Sequence, residues 1–527
     1  MPKKKFEQVS VLIVGGGPVG LSLAIELGLR GIDCILIEQR GGHPQVPRMS
    51  QVSGRNMEFC RRWGIAKKVR GAVWSSTHPL DFVYATSLTG EELARVKIPS
   101  YQKRGKPDYS PEGTCACPQI YFDPILAEKA SSLRKIKIRY KNQLKSFEQD
   151  NEKISAHIID LNSGSNIVIN AKFIVGCDGS GGAVRTGLNI PLDGLGTIAT
   201  SVNVFFRSSE LATLHDKGWA RFYRLIDKQK CWAELIAIDG KELWRLTVFN
   251  DPKPDKTGRS YLKKMAGQNF SYEVIDVSPW ERRDYLAQRF QNNRAFIAGD
   301  AAQQCSPTGG LGMHTGVCEA VNLAWKIEAT LQGWGGPKLL DSYEEECQPI
   351  ANKSVELSTN SFNAINALPG DEGFRTAIKV GKDITQGLAV PDELRTQLYF
   401  DNSPICIPDG DQTKQEDIAI RNSSIQLARP GARAPHVWVN DGKSTLDLFG
   451  SHFTFLCIGK PEKNGKPMEL AATRYKVPFK VLAINNRNMS ALYKKNFVLV
   501  RPDGHISWQG NYPPKAPEKV IKQVVGA

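Results

Sequence analysis

No apolar run in this 527-residue chain approaches the roughly 20 residues that a membrane-spanning helix needs, so stable membrane insertion is not expected. The N-terminal MPKKKFEQVS carries the charge of a secretory leader, but the apolar run behind it is short and meets three glycines. That run belongs to a folded unit. Repeats and low-complexity stretches are also lacking. The eleven cysteines are scattered, and their odd number argues against a complete disulfide framework. Cys115-Ala116-Cys117 is the one close pair, and it lacks a second ligand pair at zinc spacing, so no metal site is expected. Reduced, mostly buried thiols in a cytoplasmic protein fit this usage.

Acidic balance is lacking too, since the formal net charge is +15. The densest basic cluster, Arg134 to Lys145, alternates with Ile136, Ile138 and Tyr140, as on a strand with one wet face. No zinc-finger, RNA-recognition or helix-turn-helix signature accompanies it, which leaves a solvated face and no nucleic-acid partner. Such a field can still steer anionic small molecules toward the protein.

What is present is a dinucleotide fingerprint. Val11 to Val14 has the length of a buried strand and enters Gly15-Gly16-Gly17-Pro18-Val19-Gly20, followed by a helical pattern through Leu27. A second strand, Cys34 to Ile37, ends at Glu38, 18 residues past Gly20. Gly15 permits the tight turn, Gly17 lets backbone approach a pyrophosphate, and Gly20 lets helix and strand pack closely. The helix N-terminus then faces the phosphates and Glu38 the ribose hydroxyls. Pro18, Val19, Gln39 and Arg40 flank these contacts and complete the expected nucleotide set.

Two later segments extend this set. Residues 294–326, RAFIAGDAAQQCSPTGGLGMHTGVCEAVNLAWK, give a strand, an Asp at its end and a Gly-rich turn opening a helix. Gly176-Cys177-Asp178-Gly179-Ser180-Gly181-Gly182-Ala183-Val184-Arg185 lies between the two. In this order, the motifs resemble those of the class A FAD-dependent aromatic hydroxylases, in the branch of phenol, hydroxyphenylpropionate and polyketide hydroxylases. The resemblance extends over nearly the whole chain. It assigns Gly299 and Asp300 to the ribityl region, and Pro307 to the isoalloxazine edge. Gly310, Leu311, Gly312, Met313 and His314 go to its pyrimidine side. Asp178, Gly179 and Arg185 fall in a motif serving FAD and the nicotinamide cofactor, Gln119 approaches FAD, and Arg48 reaches the flavin. Three positions depart from the family pattern: Gly182 where Ser is usual, Gln303 for His, and His314 for Asn.

The implied fold is α/β, a Rossmann-like FAD-binding domain of the p-hydroxybenzoate hydroxylase type. It is joined by a substrate-binding antiparallel sheet and a C-terminal thioredoxin-like domain. The FAD domain is expected at 1–75, 116–190 and 286–420, the substrate domain at 76–115 and 191–285, and the thioredoxin-like domain at 425–527. Cys457 is the sole cysteine of that last domain, so it lacks Cys-x-x-Cys chemistry. No second Rossmann fingerprint follows the first, which fits NADPH or NADH visiting transiently as co-substrate. The implied activity is NAD(P)H- and O2-dependent hydroxylation of a phenolic ring through a flavin hydroperoxide. A flavin reductase without oxygen insertion is the alternative, and a homodimer is compatible with the sequence. Tyr223, on the expected sheet, is the candidate base for the phenol, with Arg48 as stabiliser of charge at the flavin and Pro307 at its edge.

Overall fold

The computed structural model describes residues 5–251, 253–385, 399–409, 426–440 and 442–527. The apolar strand Lys5–Val14 runs through the middle of an eight-stranded sheet. It pairs in parallel with Cys34–Glu38 on one side and Asn166–Gly176 on the other. Ile136–Tyr140 and Ala295–Ile297 extend this parallel order outward. Val11, Leu12, Ile13 and Cys34 through Ile37 are buried, as both faces of a parallel sheet should be. Helices Pro18–Leu29 and Gly312–Gln332 pack tightly on each other, with Gly316 admitting the Val19 side chain.

The second eight-stranded sheet is mostly antiparallel. Leu192–Arg207 lies between Glu273–Ala287 and Leu243–Phe249, followed by Cys231–Ala237 and Phe222–Ile226. Phe222–Ile226 then joins Phe82–Ala85 in parallel, the one departure among its long pairings from the expected antiparallel pattern. One face of this sheet carries Val204, Phe206, Tyr223, Leu225, Leu235, Trp244, Leu246 and Val248, packed with helix Arg259–Ala266. Residues one step out of phase point the opposite way. They are Asn203, Phe205, Phe222, Arg224, Glu234, Ile236, Arg245 and Thr247. Phe205, Ile236 and Phe222 there meet Val46 and Ile120 of the nucleotide-binding part.

The C-terminal part has a four-stranded sheet ordered Phe479–Ile484, Phe453–Ile458, Phe497–Val500, Ile506–Gly510. The first pair is parallel and the others antiparallel, with helices Lys466–Arg474, Arg487–Tyr493 and Pro517–Val524 between and after the strands. That is the thioredoxin-like order, and its Cys457 is buried. Pro502-Asp503-Gly504 turns a hairpin between the last two strands, with Gly504 at φ +88° donating to the Arg501 carbonyl. The expected break between 420 and 425 lies outside the described residues.

Candidate functional site

The glycine turn is built by close approach. Gly15 has φ +111°, and a Cβ there would overlap the carbonyl oxygen of Cys177. A Cβ on Gly20 would overlap the carbonyl oxygen of Gly15. Gly17 has open space where its Cβ would stand, and no side chain caps the helix that begins at Pro18. Val19 packs against Gly299. The bare N–H groups at this helix end therefore point at room for an anion. Glu38 accepts from Gly16 N at 2.8 Å, from Arg40 N at 2.8 Å and from Arg40 Nε at 2.9 Å. Burial pushes the Glu38 carboxyl up, but these hydrogen bonds and the Arg40 charge hold it below the usual range. Gln39 is exposed and accepts from Gln143 Nε2 at 3.2 Å.

Strand register brings the later motifs to the same place. Val14 pairs with Gly176, and Ala298 N donates to the Gly176 carbonyl at 2.9 Å. The carboxyl ends of three adjacent parallel strands thus converge, where an open α/β sheet binds its ligands. Asp178 Oδ2 accepts from Val184 N at 3.1 Å, while its buried Oδ1 has no partner among the described residues. Gly179 is left-handed at φ +78°, and Arg185 donates to the Ile190 carbonyl at 3.1 Å. Gly299, φ +64°, donates its N–H to Glu319 at 2.7 Å. Asp300 is exposed, yet enough protein crowds it that loss of solvent raises its carboxyl, with the Arg48 charge drawing it back.

Pro307 is exposed, and its carbonyl accepts from Gly310, φ +63°. Leu311 and Gly312 begin the long helix with no side-chain cap, and a Cβ on Gly312 would stand 3.9 Å from Asp300 Oδ1. Met313 Sδ accepts from Asn56 Nδ2 at 3.6 Å. His314 Nε2 accepts from Ser53 N at 3.0 Å, so the His at this position ties the helix start to the 51–53 segment. Gln303 is fully buried, and neither amide atom has a partner among the described residues.

Arg48 is exposed on a segment held by the second sheet. Arg245 Nη1 donates to the carbonyls of Pro47 at 2.5 Å and Arg48 at 3.2 Å, and Arg221 Nη2 to that of Ser50 at 2.6 Å. Gln119 donates from its backbone to Met49 and from its amide to Asp123 at 3.0 Å. Burial pushes Asp123 up to about 7. Tyr223 stands apart from this assembly. It sits on the face packed with helix Arg259–Ala266, fully buried, donating to the Gly218 carbonyl at 2.7 Å and accepting from Ala220 N at 2.9 Å. Burial pushes its phenol well above the usual range, opposite to what a base requires. Sequence reasoning missed Arg221, Arg245, Asp123 and Glu319. The one available signal was strand phase, which sets Arg245 opposite Trp244.

Residues 8–358 match the family described as FAD binding domain, and residues 428–527 the family described as aromatic-ring hydroxylase, C-terminal. The FAD-dependent monooxygenase apdD of Emericella nidulans is 28% identical, over 97% of this chain and 89% of its own. Phenol 2-monooxygenase of a Pseudomonas species is 26% identical, over 98% and 92%. Among solved structures, the rebeccamycin biosynthetic enzyme RebC with reduced flavin superposes at a TM-score of 0.89. It has 33% identity and covers 99% of both chains.

Proposed function

Since the chain belongs to the FAD-binding-domain family of aromatic-ring hydroxylases and is an FAD-dependent aromatic monooxygenase, we propose that its substrate is a phenolic ring, hydroxylated with NAD(P)H and O2. The observation that carries this reading is the convergence of three glycine-and-acid motifs at adjacent strand ends. The residues there fit the cofactor: room beside Gly17, an unpartnered Asp178 Oδ1, and Asp300 beside the uncapped helix start. When bound, FAD supplies hydride acceptance and oxygen activation, as a cofactor does for the protein that orients it.

The protein's own residues bind and orient. The N–H groups past Gly17 take the pyrophosphate, Glu38 the adenosine ribose, and Asp300 the ribityl hydroxyls. The helix start at Gly310–His314 stabilises negative charge on the flavin pyrimidine. Arg48 and Pro307 border the reacting edge, and Gln119 reaches in from beside Asp123. A nicotinamide cofactor without a fold of its own calls for flavin motion between exposed and enclosed positions. The eleven free cysteines accord with a cytoplasmic setting. A reductase without oxygen insertion is not favoured, given relatives named as monooxygenases.

The test is anaerobic reduction with NADPH or NADH across a panel of phenols, followed by labelled O2. Phenol-stimulated reduction and label in the product are expected. Fast reduction that no phenol alters, with no labelled product, would replace this reading by a reductase.

A further inference from the structure

Four buried side chains, each with a polar atom that no described residue satisfies, line one cavity. It lies where helix Gly312–Gln332, helix Gly54–Arg62 and the C-terminal hairpin meet. The residues are Arg55, Glu319, Asn322 and His505, and the atoms are Nε, Oε1, Oδ1 and Nε2 in that order. All four atoms are sealed from solvent, and a buried polar atom left unmet is costly. A water-sized sphere has about 10 Å³ of room in the cavity, the space of one molecule.

The other hydrogen bonds of these residues fix what each atom offers. Glu319 uses Oε2 to accept from Gly299 N at 2.7 Å. Asn322 Nδ2 donates to two carboxylates, Glu346 Oε2 at 2.7 Å and Asp503 Oδ2 at 3.5 Å, so Oδ1 faces the other way as an acceptor. His505 Nδ1 stands 3.4 Å from Asp503 Oδ1, which places the ring proton on that side and leaves Nε2 an acceptor. Burial lowers His505 against the Asp503 charge, so the ring is neutral at neutral pH. Arg55 Nη1 pairs with Glu58 Oε2 at 2.8 Å, and its Nε–H is a donor only. One donor and two acceptors are thus fixed, and the Glu319 oxygen is either. A water has two hydrogens and two lone pairs. Its hydrogens suit Asn322 and His505, and its lone pairs suit Arg55 Nε–H and a proton on Glu319 Oε1. An ionised Glu319 would ask the same water for a third hydrogen.

We infer that the cavity is a site for one bound water, and that this water, held by His505 of the thioredoxin-like part, keeps the proton on Glu319. Burial supports it by pushing the Glu319 carboxyl up to about 8, with the Asp300 charge adding to the rise and Gly299 N–H opposing it. The groups facing Glu319 are Asp300, Cys177 and Cys305 from the strand ends, Tyr343 and Cys347 from helix Ser342–Asn366, Cys318 on its own helix and Arg55 across the cavity. Burial raises the thiols and the phenol, so they stay neutral where Glu319 titrates, and Asp300 and Arg55 are the charges it meets. The C-terminal part thereby reaches the cofactor site without a dithiol. Glu319 holds the N–H of the residue before Asp300, and its proton spares Asp300 a negative neighbour.

The experiment follows the infrared carbonyl band of protonated carboxyls in FAD-loaded enzyme, titrated from neutral to alkaline pH. Glu319→Gln should remove one such band, which in the native enzyme titrates near 8. His505→Phe takes away one acceptor, so the water turns a hydrogen toward Glu319. The midpoint of the band should then fall by about half to one pH unit, the worth of one hydrogen bond. His505→Gln keeps an acceptor and should hold the midpoint near its native value. A spectrum that Glu319→Gln leaves unchanged would overturn the inference, as would a midpoint that His505→Phe does not move. An equal fall in His505→Gln would trace the effect to packing and overturn it as well. A crystal structure of the native enzyme needs no variant. It should show one water within hydrogen-bond reach of Glu319, Asn322, Arg55 and His505, and a dry cavity would refute the site.

Discussion

Arg501 donates to both carboxylate oxygens of Glu346, at 2.5 Å and 3.0 Å, with neither side chain exposed to solvent. The pair joins the thioredoxin-like part to helix Ser342–Asn366, and Lys326 adds a third buried charge at 2.8 Å from Glu346. Asp503 pairs with Arg501 from the hairpin turn. Burial and the Asp503 charge push the Glu346 carboxyl up, but the charges of Arg501 and Lys326 hold it down at about 2.

Removing the C-terminal part should therefore be structurally damaging, although its sequence offers no dithiol or flavin motif. Ending the chain before residue 426 would expose Trp325 and Trp334 and leave Lys326 and Glu346 without Arg501. Arg501→Met in the full chain should cost about 3–5 kcal/mol, the usual loss when one partner of a buried ion pair is removed. Denaturant unfolding measures it, and a loss below ~1 kcal/mol would contradict the role given to this network.

Asp300→Ala should weaken FAD binding by about 1.5–3 kcal/mol, the worth of a charge-assisted hydrogen bond. Ultrafiltration of reconstituted protein gives the affinity. The released cofactor should be FAD, not FMN, and unchanged affinity would remove Asp300 from the ribityl contact.

Gly17 and Gly20, neighbours in the same turn, should behave differently. Gly20→Ala forces a Cβ into the Gly15 carbonyl and should destabilise the fold even without cofactor. Gly17→Ala meets open space, so the apoprotein should keep its stability within about 0.5 kcal/mol while FAD affinity falls. Thermal unfolding with and without FAD separates the two. A Gly17→Ala protein that binds FAD normally would place the pyrophosphate elsewhere.

Glu319 makes the apoprotein's stability depend on pH. Burial pushes its carboxyl up to about 8, with Gly299 N–H opposing and Asp300 adding to the rise. The folded state then holds a proton that the unfolded chain releases near 4.5. The stability associated with that proton is complete below the unfolded value and is lost as pH rises toward 8. The slope contributed is up to about 1.4 kcal/mol per pH unit. Glu319→Gln keeps an acceptor for Gly299 N–H and should flatten this profile. Denaturation curves from pH 5 to 8 that are parallel for both proteins would contradict the assignment.

Local backbone demands were legible in the sequence. The spacing of Gly15, Gly17 and Gly20 predicted the turn, and two of the three are demanded by the backbone itself: Gly15 takes a φ of +111°, and both it and Gly20 have a carbonyl oxygen at the Cβ position. The acids Glu38, Asp178 and Asp300 follow strands whose apolar runs are themselves readable. The segment ELWRLTVF is likewise readable as a strand, and in Leu243–Phe249 the period of two puts Trp244 and Arg245 on opposite faces.

Which face meets the nucleotide-binding part was not legible, and that decided the fate of Tyr223 and Arg245. Both lie on the second sheet, but Tyr223 falls on the side covered by helix Arg259–Ala266, and Arg245 on the side that braces Pro47 and Arg48. Likewise, nothing near residue 346 announces Arg501, 155 residues away. Periodicity fixes a side chain's direction relative to its own strand, because the backbone repeat is local. What covers that side, and which charges lose their solvent and find partners, depends on contacts distant in sequence. Only the tertiary fold supplies those.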